Sequence, residues 1–124
     1  MTWFGRFFRK SDSGDRRAAL LNEGLALAME FGQDWLKPIQ PRLLQRYPAL
    51  GRAELDELDG ECRAAMSFGH KATYEHCVKF GKTVSVATIA PVVRAKFPWV
   101  SEANMARLFS QGMYYAYKDG AVPL

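Results

Sequence analysis

The chain has 124 residues, a length that suits one folded unit, because domains usually take ~100 to 200 residues. Apolar residues make up 48%, charged residues 24% and aromatics 13%, a balance that excludes a disordered segment. No apolar run approaches the ~18 to 20 residues that span a bilayer, which argues against an integral membrane helix.

The formal charge of +4 hides a pattern of blocks. Residues 1–17 carry Arg6, Arg9, Lys10, Arg16 and Arg17 against Asp12 and Asp15. Residues 18–61 are acidic, with four bases against eight acids, and residues 62–96 set six bases against Glu75 alone. A protein that binds phosphate backbones concentrates its excess charge, whereas alternating blocks suit complementarity within or between chains. Cys62 and Cys77 are too few for a secreted disulfide framework, and on one helix they would stand about 22 Å apart, beyond bridging distance. Reduced thiols in a cytoplasmic protein are the expectation, and Arg6 interrupts the apolar run that a secretory signal needs.

Residues 1–14 form a basic aromatic segment in which Trp3, Phe4, Phe7 and Phe8 alternate with Arg6, Arg9 and Lys10. On a helix Phe4, Phe7 and Phe8 share a face, a pattern suited to docking on the protein's own body, on a partner, or on the inner face of an anionic membrane. Ser11 to Gly14 is a polar stretch suited to opening a helix, and from Asp15 the helical period is clear. Leu20, Gly24, Leu27 and Phe31 form one stripe and Leu21, Leu25 and Ala28 a second, with Asn22, Glu23 and Glu30 off that face. The pattern should weaken near Gly32 and end before Pro38.

Residues 39–58 and 89–108 align without a gap at an offset of 50. Ile39 and Ile89, Pro41 and Pro91, Pro48 and Pro98, Ala53 and Ala103, and Leu58 and Leu108 are identical pairs. Tyr47 matches Phe97, Leu50 matches Val100, Gly51 matches Ser101, and Leu55 matches Met105 in kind. Each stretch reads as a helix-turn-helix unit: a proline opens a short helix, a second proline stops it, and Gly51 or Ser101 caps the next helix. Leu50 with Leu55, and Val100 with Met105, hold hydrophobic-staple positions.

From Leu55 to Phe80 the period is helical, with Gly60 and Gly69 each costing about 1 kcal/mol relative to alanine. The letters leave open whether one helix continues or breaks near Gly69. Residues 82–88 read as an extended connector, and a last helix runs from Ser101 to about Lys118, stopped by Asp119-Gly120. The predicted fold is all-α: a compact bundle of five to six helices over residues 15–120, with a tail at 121–124.

His70 and His76 point apart on one helix, and no metal-ligand spacing joins them to the cysteines. The acids Glu54, Asp56, Glu57, Asp59 and Glu61 suit a solvated face, and would repel phosphate if this helix were a DNA-reading one. Lys71, Tyr74, Glu75 and His76 are the one dense cluster of reactive types, without a recognised geometry. Tyr114, Tyr115 and Tyr117 cannot all be buried on one narrow stripe, and tyrosine is favoured at interfaces. The reading is therefore a non-enzymatic interaction module that binds a protein partner and is open to self-association. Its candidate partner-binding residues are Trp3, Phe4, Phe7, Phe8, Tyr114, Tyr115 and Tyr117, with Arg6, Arg9 and Lys10 for an anionic surface. The alternative is peripheral membrane attachment; nucleic acid is disfavoured, and no catalytic residue, metal, cofactor or small-molecule substrate is assigned.

Overall fold

A computed structural model describes the backbone of residues 2–120 and the side chains of residues 14–120 other than Lys82. Five helices follow in order: α1 (Thr2–Ala28), α2 (Gln40–Arg46), α3 (Arg52–Phe80), α4 (Val86–Lys96) and α5 (Glu102–Lys118), with a 3-10 turn at Gly81–Thr83. The described residues contain no strand. The chain is an all-helical bundle with α3 at its centre, packed mainly against α5 and α1, while the short α2 and α4 close its flanks. Leu21 and Leu25 of α1, Leu43 of α2, Leu58 of α3, Ile89 and Val93 of α4, and Met105 and Leu108 of α5 are fully buried in one core.

Helix α1 differs from the sequence reading at both ends. It begins at Thr2 rather than beyond Ser11, and runs straight through Gly14. It stops at Ala28, before Gly32, because the chain reverses through two successive turns in which Trp35 N donates to Gly32 O and Lys37 N to Asp34 O. Gly32 stands at φ 102°, where a side chain would be strained. Arg42 completes the stop: its guanidinium donates to Leu27 O at 3.2 Å and to Glu30 at 2.9 Å, adding a second donor to a carbonyl that otherwise accepts only a long bond from Glu30 N at 3.3 Å. Phe31 therefore leaves the apolar stripe on which the sequence placed it and stands 57% exposed.

The chain turns at residues 47–51 and again at 97–101. Tyr47 closes α2 at φ −131°, ψ 77°, and Phe97 closes α4 at φ −130°, ψ 72°. Gly51 precedes α3 at ψ 162° and Ser101 precedes α5 at ψ 163°. Leu50 and Leu55, and likewise Val100 and Met105, are buried at these helix starts. The helices ahead of the turns differ in length. Pro41 lies in the first turn of α2, as its sequence position suggests, but Pro91 lies inside α4, which opens a turn earlier behind Ser85. Pro91 has no amide hydrogen to give Ala87 O, a loss tolerated because Ala87 is exposed. Residues 82–88 are accordingly not one extended connector: Val84 and Ser85 alone separate the 3-10 turn from α4.

Helix α3 is continuous over 29 residues, about 43 Å, without a break at Gly69. Gly69 is a contact residue rather than a hinge: a Cβ there would lie 3.0 Å from Leu108 Cδ1. Two closer approaches flank it. A Cβ on Gly24 of α1 would meet Cys62 Sγ of α3 at 2.8 Å, and a Cβ on Gly112 of α5 would meet Thr73 Cβ of α3 at 2.6 Å. Glycine is required on one side of each crossing because the neighbouring helix already occupies the space. Cys62 also donates its thiol hydrogen to Leu21 O at 3.2 Å, and burial, with Asp59 and Glu61 nearby, pushes its pKa up to about 12.

Polar side chains join α1 to the second turn. Asn22, which the sequence pattern sets off the apolar face, lies in the α1–α5 seam with its whole amide engaged. Its Nδ2 donates to Ala18 O at 3.0 Å and Trp99 O at 2.7 Å, and its Oδ1 accepts from Ser101 N and Asn104 Nδ2, each at 2.9 Å. The first two charge blocks also meet, as Arg16 pairs with Glu54 at 3.2 Å and Arg17 with Glu61 at 3.6 Å, while Arg46 pairs with Glu23 inside the second. These are surface pairs, worth about 0 to 1 kcal/mol each.

Candidate binding cleft

The turn that frees Phe31 also builds a broad hollow on the described surface. The loop after α1 supplies Phe31 and Trp35; one face of α5 supplies Ser110, Gln111, Tyr114, Tyr115 and Lys118, and together they line about 560 Å³. A second hollow of about 360 Å³ continues from it, sharing Phe31, Ser110 and Gln111 and adding Met29, Glu30 and Arg107. The rings form a connected set. Phe31 lies 4.7 Å from Trp35 and 6.5 Å from Tyr114, and Tyr114 lies 5.6 Å from Tyr115, measured between ring centres. Tyr114 is 53% exposed, so two of these rings present more than half their area to solvent.

The floor is held rigidly. Gln111 is 2% exposed; its Nε2 donates to Met29 O at 2.7 Å, which ties α5 to the end of α1. His70 Nε2 lies 2.9 Å from Gln111 Oε1 and must donate, since an amide oxygen only accepts; this fixes the neutral Nε2–H tautomer. Burial holds the His70 pKa below the ordinary histidine value, an effect only partly offset by the bond to Gln111. The His70 ring packs edge-on to Tyr115, with centres 5.4 Å apart. Burial, assisted by Tyr114, also raises the pKa of Tyr115, so this wall stays uncharged at neutral pH.

Of the residues that the sequence singled out for a partner, Tyr114 and Tyr115 enter the cleft. Tyr117 does not line it and is 37% exposed elsewhere on α5. The side chains of Trp3, Phe4, Phe7, Phe8, Arg6, Arg9 and Lys10 lie outside those described. Phe31 and Trp35 were missed. The signal for them was compositional: two aromatics in a segment rich in glycine and polar residues between two helices.

Of the cluster of reactive residue types on α3, Lys71, Glu75 and His76 line one hollow and Tyr74 does not. Lys71 and Glu75 form an exposed pair at 4.0 Å. His76 Nδ1 lies 2.8 Å from Ala72 O, and donates to it. That hollow of about 290 Å³ is lined also by Phe68, Val92 and Lys96, with the Lys96 ammonium 4.9 Å from the centre of the Phe68 ring. Among the described residues, no three His, Cys, Asp or Glu side chains are grouped to hold a metal ion. No helix among them is long and apolar enough to cross a membrane. The chain matches no family model, no curated protein and no solved structure.

Proposed function

We propose that the protein is a non-enzymatic helical interaction module that receives a protein partner in the cleft between the α1–α2 loop and α5. The observation that carries this reading is the connected run of rings from Trp35 and Phe31 to Tyr114 and Tyr115, with Phe31 and Tyr114 exposed and Trp35 and Tyr115 half-buried beside them. Large rings with a rigid backing bury much area on docking at little entropic cost, which is why they dominate interface energetics. A photo-crosslinking residue placed at Phe31 should give discrete protein adducts in cells, lost when Tyr114→Ala is added, whereas the same group at exposed Val78 should not. No adduct from position 31, with the fold intact by circular dichroism, would sink the reading.

Two finer readings accompany it. We infer that residues 39–58 and 89–108 are related helix-turn-helix units. The near-equal dihedrals at Tyr47 and Phe97 support this, as do those at Gly51 and Ser101. Peripheral membrane attachment through residues 1–10 is the second functional reading, favoured by one fact: the α1 backbone is helical from Thr2 onward, the condition for an aromatic face there. Flotation with anionic vesicles, with and without residues 1–10, separates it from partner binding.

A further inference from the structure

The cleft carries charge as well as rings, and its charges are arranged along α5. Arg107, Gln111, Tyr114 and Lys118 succeed one another at helical spacings of four, three and four, so they form one stripe. Arg107 and Lys118 are eleven residues apart, about three turns, which places the two cations on the same face about 16 Å apart. Both are exposed, and neither forms an ion pair among the described residues. The carboxylate of the second hollow is already paired, Glu30 with Arg42 at 2.9 Å, and Asp34 on the loop pairs with Lys37 at 3.7 Å.

Resting on the interaction-module reading above, we propose that the occupant is an extended acidic peptide segment. It carries two carboxylates about six residues apart and a bulky apolar side chain between them on the same face. An extended chain advances about 3.3 Å per residue and only residues an even number apart share a face, the long Arg107 and Lys118 side chains spanning the remainder. One carboxylate meets Arg107, the other meets Lys118, and the apolar side chain enters between Phe31 and Tyr114. A nucleic acid strand fits less well, because two cations about three helical turns apart would leave most of its regularly spaced phosphates unpaired. A peptide places charge only where the cations are.

The test uses the full chain and a fluorescent, end-capped heptapeptide, Asp-Ser-Ser-Ser-Phe-Ser-Asp, in which all three groups share a face, followed by anisotropy. Replacing both aspartates by lysine, or the phenylalanine by alanine, should each weaken binding about tenfold or more, equivalent to ~1.4 kcal/mol. Moving the aspartates to within two residues of each other should weaken it severalfold. The double variant Arg107→Glu with Lys118→Glu should reverse the preference and select the lysine peptide. Phe31→Ala should weaken both combinations. Equal or better binding of the lysine peptide to the unaltered protein, abolished by Phe31→Ala, would overturn the acidic preference while leaving the interaction module standing. Equal binding of the closely spaced peptide would overturn the register. Tighter Phe31-dependent binding of an oligothymidine would overturn the choice of a peptide. No binding of any peptide also overturns the inference, and crosslinking at position 31 then judges the broader reading separately.

Discussion

The turns at residues 47–51 and 97–101 have nearly the same backbone and very different surroundings. At the first, Tyr47 is 37% exposed and Gly51 offers no side chain to cap α3. At the second, Ser101 Oγ accepts from Asn104 N, Asn22 takes Trp99 O and Ser101 N, and Arg94 Nε donates to Val100 O at 3.1 Å. Phe97 sits between Phe68 and Trp99, with ring centres 5.8 Å and 6.3 Å away. Proline, a staple and an extended cap residue therefore suffice to shape such a turn, while long-range side-chain bonds decide how firmly it is held. The first turn should open locally at lower free energy than the second, a difference that amide hydrogen exchange reads directly.

The most damaging way to disturb this comparison lies at the crossings behind the turns. Gly112→Ala should cost about 3 kcal/mol by overpacking, because the atom it meets is Thr73 Cβ, which Thr73→Ala does not remove. Gly24→Ala should cost somewhat less, and Cys62→Ala should relieve it, because there the obstacle is a sulfur atom. Thermal melts of the two double variants distinguish the crossings; equal rescue in both would refute the assigned contacts. Next in size, Asn22→Ala should cost about 2 kcal/mol, since it leaves buried groups of the second turn unpaired. It should also raise hydrogen exchange at 97–101 toward the level at 47–51.

A smaller effect follows from His70. Its folded pKa is depressed, so the unfolded chain binds the proton more readily; stability is full above the unfolded value of about 6.5 and falls as pH drops below it. His70→Gln should flatten that part of the Tm against pH curve, and an unchanged slope would show that His70 does not set it. Smallest of all, Gly51→Ser should give the first turn the cap that the second possesses and raise stability by a few tenths of a kcal/mol. Gly51 has open space around it, so a loss of stability would mean that the two caps are not equivalent.

What the sequence revealed was local and periodic. The buried stripe of α1 through Leu21 and Leu25, the staple pairs, the Ser101 cap and the stop after Lys118 follow from spacing, capping and turn chemistry acting over a few residues. What it concealed depends on partners distant in the chain. Gly69 looks like a helix breaker until Leu108 is set beside it, and Asn22 looks like a solvent residue until the second turn reaches it. Phe31 continues the apolar period by arithmetic, yet Arg42 and the reversal at Gly32 end the helix first. The cleft was half legible for the same reason. Tyr114 and Tyr115 stand out as surplus rings on a helix, but nothing local says that Phe31 and Trp35 face them.

The uninterrupted α3 means that the protein has no seam at its middle. Its first half meets α1 and its second half meets α5, so neither could keep its apolar side covered if the chain were severed near Gly69. Two such fragments would have to find each other before either became ordered. Insertion at that midpoint is disfavoured for the same reason, and new sequence is better accommodated in the exposed turn at residues 47–49.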